Sequence, residues 1–138
     1  AIWSEGVGFA AHGSGNIAAG AVVLRVYPTE EYDNTASYDP LTGIFTAPVA
    51  GLYHFDFSES FNIHPNTSQL HVSFVVNGVF PTGSHFSPST ASLWNVSYSR
   101  DYYLAAGDQV QARIFNSGGA ACVSAGAERN VFSGHLIR

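Results

Sequence analysis

The residues able to do chemistry in this chain are six histidines, ten carboxylates, one cysteine and a scatter of serines. Catalysis by a serine triad would need a strained nucleophile turn, and no G-x-S-x-G run is present; a zinc protease would need HExxH, and none is found. Asp56 and Glu59 are three apart, which on a strand sends them to opposite faces and spoils paired-carboxylate chemistry. They read as part of a solvated sheet face. The glycine-rich GVGFAAHGSG (6–15) lacks a following helix and a lysine, so it reads as strand and loop rather than a phosphate cradle. Among the histidines, His54 and His71 fall on the polar faces of alternating segments, and His12, His64 and His85 fall in loop or turn contexts. Cys122 is the only cysteine, which excludes an intrachain disulfide framework and a four-cysteine zinc site; a free, buried thiol is expected. No enzyme activity and no cofactor are expected.

The remaining composition narrows the class of partner. Charged residues make up 11% of the chain, against roughly a quarter in average proteins, and every cation is an arginine. The formal net charge of −5 repels nucleic acid and anionic head groups. No apolar run approaches the 18 or so residues of a membrane span, so no membrane insertion is expected. High serine, asparagine and tyrosine with no lysine suggests a secreted or cell-surface protein. The chain starts at Ala1 and has no methionine, as expected of a processed product or a piece of a longer protein.

Alternation with a period of two supplies the elements that carry these residues. Segment 52–61 puts Tyr53, Phe55, Phe57 and Phe61 on one face; 69–76 does the same with Leu70, Val72, Phe74 and Val76, then meets the hairpin signal Asn77-Gly78. Segments 94–104 and 109–115 alternate likewise, with Trp94, Val96 and Tyr98, and with Val110, Ala112 and Ile114. Turn signals recur every 8 to 12 residues or so, and 78–91 reads as the longest loop. The expectation is one all-β domain over 1–138, an antiparallel sandwich, jelly roll or barrel. Two segments, AVVLRVY (21–27) and VFSGHLIR (131–138), are apolar on both faces. A second apolar face must be covered, and a domain of this size has little left to do so, so self-association is expected.

The run YDPLTGIFTAPVAGLYHF (38–55) resembles the signature of the complement C1q globular-head family, whose jelly roll is shared with tumour-necrosis-factor ligands. VGFAAH (7–12), LAAGDQV (104–110) and VFSGHLI (131–137) are similar to the family's first strand, a glycine-aspartate turn and the closing strand, in the family's order. The resemblance implies a jelly-roll sandwich of two five-stranded antiparallel sheets, assembling as a homotrimer with the sheet of both terminal strands facing the neighbours. Candidate contacts between protomers are Phe9, Val23, Tyr27, His135 and Ile137. Tyr38, Gly43, Phe45, Pro48, Gly51, Tyr53, Phe55, Gly107, Asp108, Phe132 and Gly134 are the motif's folding residues. Several members of the family bind calcium through carboxylate-rich loops, but the matching segments 81–90 and 116–129 hold one acid, Glu128, where calcium wants several. His135 stands where the family usually has phenylalanine; packed between protomers, its protonation would put like charges into a dry seam, so acid is expected to loosen the oligomer.

For a ligand surface, Trp94, Arg100, Tyr102 and Tyr103 form the richest aromatic cluster outside the motif, suited to a sugar ring or a protein hot spot. Asn66 and Asn95 head glycosylation triplets. The function expected is a non-enzymatic extracellular recognition head acting as a homotrimer, its ligand a glycan or a protein surface. The alternatives are a structural trimerisation or end-cap module of a larger fibrous protein and a cytokine-like receptor ligand.

Overall fold

The computed structural model describes residues 6–62, 69–80 and 93–138, and the backbone of 85–88. The strands are β1 (Gly8–His12), β2 (Val22–Leu24), β3 (Thr29–Asp33), β4 (Tyr38–Asp39), β5 (Ile44–Thr46), β6 (Gly51–Asn62), β7 (Gln69–Val76), β8 (His85–Pro88), β9 (Leu93–Leu104), β10 (Gln109–Asn116), β11 (Val123–Ser124) and β12 (Val131–Leu136). A 3-10 turn at Ala127–Arg129 precedes β12, and no α-helix occurs among the described residues.

All pairings within the sheets are antiparallel. The first sheet runs β9, β6, β12, β1, β3, with β11 continuing the β12 edge of β6 at Phe61 and Asn62. The second runs β4, β5, β10, β7, β8, with β2 sharing the β5 edge of β10 at Arg113–Phe115. Each sheet therefore has six strands in five positions, because a short strand shares an edge in both. Both terminal strands, β1 and β12, lie side by side in the first sheet.

Alternation drives the closure. Along β6, Tyr53, Phe55, Phe57 and Phe61 are buried, and across the sandwich Leu70, Val72, Phe74, Val110, Ala112 and Ile114 meet them. The core is aromatic. Phe9 stacks on Tyr38 and Phe45 at 4.9 and 5.1 Å between centroids and takes the edge of Phe132 at 4.9 Å. Each fully buried ring of this size contributes about 1.5–3 kcal/mol, with roughly 0.5–1.5 kcal/mol more for a well-placed pair. Two glycines are required by close approach. A Cβ on Gly134 would lie 2.6 Å from Phe55 Cδ1, and one on Gly43, at φ +78°, would lie 2.2 Å from the Arg25 carbonyl.

The remaining motif residues hold turns. Tyr38 Oη accepts from the Tyr27 amide (3.0 Å) and donates to its carbonyl (3.1 Å), Tyr53 Oη donates to Val49 O, and Asp108 accepts from the Ala105 amide beyond Gly107. Burial pushes the Tyr38 hydroxyl up to about 12.

Two expectations change. Segment 21–27 forms a strand only over Val22–Leu24, because Arg25 turns inward to a buried carboxylate. The expected loop 78–91 contains β8, whose Pro88 pairs with Gln69 at the strand's end on the sheet edge, where a missing N–H costs no ladder bond.

Candidate interaction surfaces

The buried ionisable cluster comes first, because it decides which residues are available for chemistry at the surface. Glu59 is fully buried on the inward face of β6, in step with Phe57 and Phe61. Its Oε1 accepts from Arg25 Nη2 (2.7 Å), Arg25 Nε (3.1 Å) and Ser14 Oγ (2.5 Å), and its Oε2 from Arg25 Nε (3.0 Å) and Tyr27 Oη (2.6 Å). Arg25 Nη2 also donates to the Gly15 carbonyl. Asn130, also buried, donates to the Ser14 carbonyl and accepts from the Ser60 amide. Burial pushes the Tyr27 hydroxyl well above its ordinary range, and the Glu59 carboxylate beside it adds to that. Both Glu59 oxygens accept from within the chain, so the cluster pins the 13–28 connection to β6 and the carboxylate is not presented to a substrate. The solvated face expected for Asp56 and Glu59 holds for Asp56 alone.

On the outer face of the first sheet, β9, β6 and β12 bring their polar residues into cross-strand rows: Asp101, His54, His135; then Ser99, Asp56, Ser133; then Ser97, Ser58, Val131. His54 Nδ1 lies 2.5 Å from Asp101 Oδ1 and Nε2 lies 2.8 Å from Asp56 Oδ2. Ionised carboxylates only accept, so both contacts are satisfied together by the imidazolium. The Asp101 hydrogen bond, opposed by partial burial and helped by Asp56, raises the His54 pKa above its usual value. Ser99 Oγ donates to Asp56 Oδ1. The serines, Asp56 and Val131 line an open trough of about 350 Å³, beyond which Gly8 and Ala10, both buried, occupy the same face of β1. Asn95 is exposed there and donates to Ser58 and Ser60; Asn66 lies outside the described residues.

The candidate contact residues divide between the two sides. Phe9 and Tyr27 are fully buried inside the sandwich, so these two do not face a neighbouring protomer, and the half-buried Val23 packs against the same core. The cause is phase: β1 turns Phe9 inward while Gly8 and Ala10 face out, and Tyr27 follows Arg25 into the cluster. His135 and the 45%-exposed Ile137 lie on the outside. His135 stands 5.5 Å from His54, ring to ring.

Nor do the expected ligand residues form one surface. Trp94 is 7% exposed in the core, and Tyr102 packs inward on Phe55 and Phe74. Arg100 lies over the Tyr102 ring at 5.4 Å and donates to Tyr98 Oη. Tyr103, one residue on, points to the opposite face, 75% exposed, and accepts from Arg138. Strand parity separates Tyr102 from Tyr103. Cys122 is a buried thiol whose sulfur accepts from Asn116 Nδ2; His12 belongs to β1 and pairs with Glu31 at 3.3 Å. His64 and the His85 side chain lie outside the described residues. No group of three or more metal-ligating side chains occurs among the described residues, and no helix there is long and apolar enough to cross a membrane.

The fold matches known proteins. The collagen alpha-1(X) chain of Mus musculus is 28% identical over 106 residues, which is 77% of this chain and 15% of that one. The globular domain of zebrafish complement 1qA superposes with a TM-score of 0.67 at 22% identity, over 96% of this chain and 98% of that one. Murine APRIL at pH 8.0 superposes at 0.68 with 13% identity, over 96% and 100%. At these identities the two structures speak for the fold, a C1q and tumour-necrosis-factor type jelly roll. The C1q domain itself matches residues 9–137, from the core of β1 to the end of the closing strand, and the chain belongs to that family.

Proposed function

We propose that the chain is a secreted or surface-displayed, non-enzymatic recognition head that acts as a homotrimer, binding a glycan or protein surface through contacts repeated three times. Domains of the C1q and tumour-necrosis-factor type are generally binding modules. The observation that carries the proposal is the outer face of the first sheet. Its small side chains, Ser58, Ser97, Ser99 and Ser133, leave an open trough with fixed polar rows, a surface shaped to receive another protein edge rather than a small substrate. Threefold repetition lets weak ligand contacts add through effective concentration.

Calcium is not part of this proposal, since segments 81–90 and 116–129 hold one carboxylate between them, Glu128, and calcium wants six to eight oxygens. The test is a Ser97→Arg, Ser133→Arg variant, which places two long cations in the trough. Light scattering is expected to give a trimer for the parent chain and a monomer for the variant with unchanged circular dichroism. A variant that keeps its mass refutes this face as the contact. The collagen match favours a second reading, a trimerising end module of a longer fibrous chain, because this chain spans less than a sixth of that relative. A long fibrous region encoded upstream, together with no binding on a glycan array, would select it.

A further inference from the structure

An apolar surface is left open on the second sheet, the side opposite the terminal strands. Val22 and Leu24 are 54% and 44% exposed. Across the ladder Val22 stands opposite Phe115 and Leu24 opposite Arg113, and Arg113 in turn faces Ser73 on β7. The Arg113 guanidinium lies 4.3 Å above the ring of Phe80, itself 48% exposed. Ser73 is fully buried beside this row, and its hydroxyl has no hydrogen-bond partner among the described residues.

We propose that this face docks a protein segment presenting one carboxylate side chain between aliphatic ones. Arg113 forms no ion pair among the described residues, in contrast to Arg25, whose charge is met by Glu59. Partial burial strips it of water and lowers its pKa, so the folded chain already carries the desolvation cost of a cation without the anion that would offset it. Stacking on Phe80 holds the planar fork in place, and such an arginine with its donors unused matches a carboxylate. The flanking Val22, Leu24 and Phe115 select the source of that carboxylate. A sugar would need paired donors and acceptors along the platform, whereas Val22, Leu24 and Phe115 offer apolar area, the Ser73 hydroxyl is buried, and His71, stacked on Phe115, is already bonded to Ser117. An arginine and aromatics within an aliphatic patch is the composition of a protein hot spot.

Docking of this kind presupposes a recognition module whose first sheet is occupied by its neighbours, leaving the second sheet outward three times per assembly. The probe is the blocked peptide Gly-Leu-Asp-Leu-Gly and its Asn counterpart, followed by amide chemical shifts of the 15N-labelled chain, with particle mass measured on the same samples. Saturable shifts centred on 22–24 and 113–115 with the Asp peptide are expected, weakened about tenfold or more by the Asn peptide or by Arg113→Gln. Leu24→Ser is exposed and leaves the fold intact, and it should weaken binding too. Equal response to both peptides, no response at millimolar peptide, or response to 3′-sialyllactose instead would overturn the proposal. A trimer that ignores the peptide sinks the docking face alone, whereas a monomer sinks the assembly.

Discussion

Replacing Glu59 with Gln keeps the shape of the side chain and removes its charge. The change leaves Arg25, 3% exposed, without a counter-ion, and points an amide N–H₂ at donors that need an acceptor. Breaking a buried pair by removing one partner costs about 3–5 kcal/mol. That is a large part of the roughly 5–15 kcal/mol that holds an ordinary domain folded. For a chain of this length the melting temperature should fall by roughly 10–20 °C, read by circular dichroism at a fixed concentration. Asp56→Asn, three residues away on the outer face, should stay within about 1 kcal/mol of the parent. The double variant Arg25→Met, Glu59→Gln should lose less than the two single losses combined, because the uncompensated cation has gone. If Glu59→Gln melts within about 1 kcal/mol of the parent, or no lower than Asp56→Asn, the buried cluster does not hold the fold as described.

Further outcomes follow from single positions. Gly134→Ala forces a Cβ to 2.6 Å from Phe55 and should cost about 1–3 kcal/mol in denaturant titration, whereas Phe132→Ala empties the ring cluster and should cost about 3–5 kcal/mol. His54 has its pKa raised by Asp101 and Asp56, so its contribution is full below about pH 6.5 and is lost as pH rises through the raised value. Stability should therefore fall by at most about 1 kcal/mol between mild acid and mild alkali, and His54→Gln should flatten that slope. Assembly should respond in the opposite sense: a proton on His135, 5.5 Å from the His54 imidazolium, would set like charges side by side, with Asp56 and Asp101 only partly offsetting them. Light scattering should show a lower mass near about pH 5 than near about pH 7.5, and equal masses would contradict it.

Strand identity was legible where one face is apolar without interruption, as in 52–61 and 69–76, because the period-two pattern and the Asn77-Gly78 turn act locally. The family resemblance extended that to the layer arrangement, which depends on pairings between residues far apart, such as Ala11 with Phe132. Burial of charge was harder to read. Glu59 keeps the phase of the core residues around it, and Arg25 interrupts an apolar run; together these were the available signal for an internal ion pair, but no local rule joins positions 34 apart. The same gap misplaced Tyr27 between protomers, because a segment apolar on both faces does not say which face meets the core. The Arg113 and Phe80 pair was hidden for a further reason, since the turn after Val76 has to fold back over β10 before they meet.

Self-association in threes is the claim on which the biology depends. Sedimentation equilibrium of the chain at micromolar dilution and near-neutral pH measures it without reference to any ligand. A single species of about 44 kDa, three times the 14.7 kDa chain, is expected. A stable 14.7 kDa particle across the dilution series would contradict it.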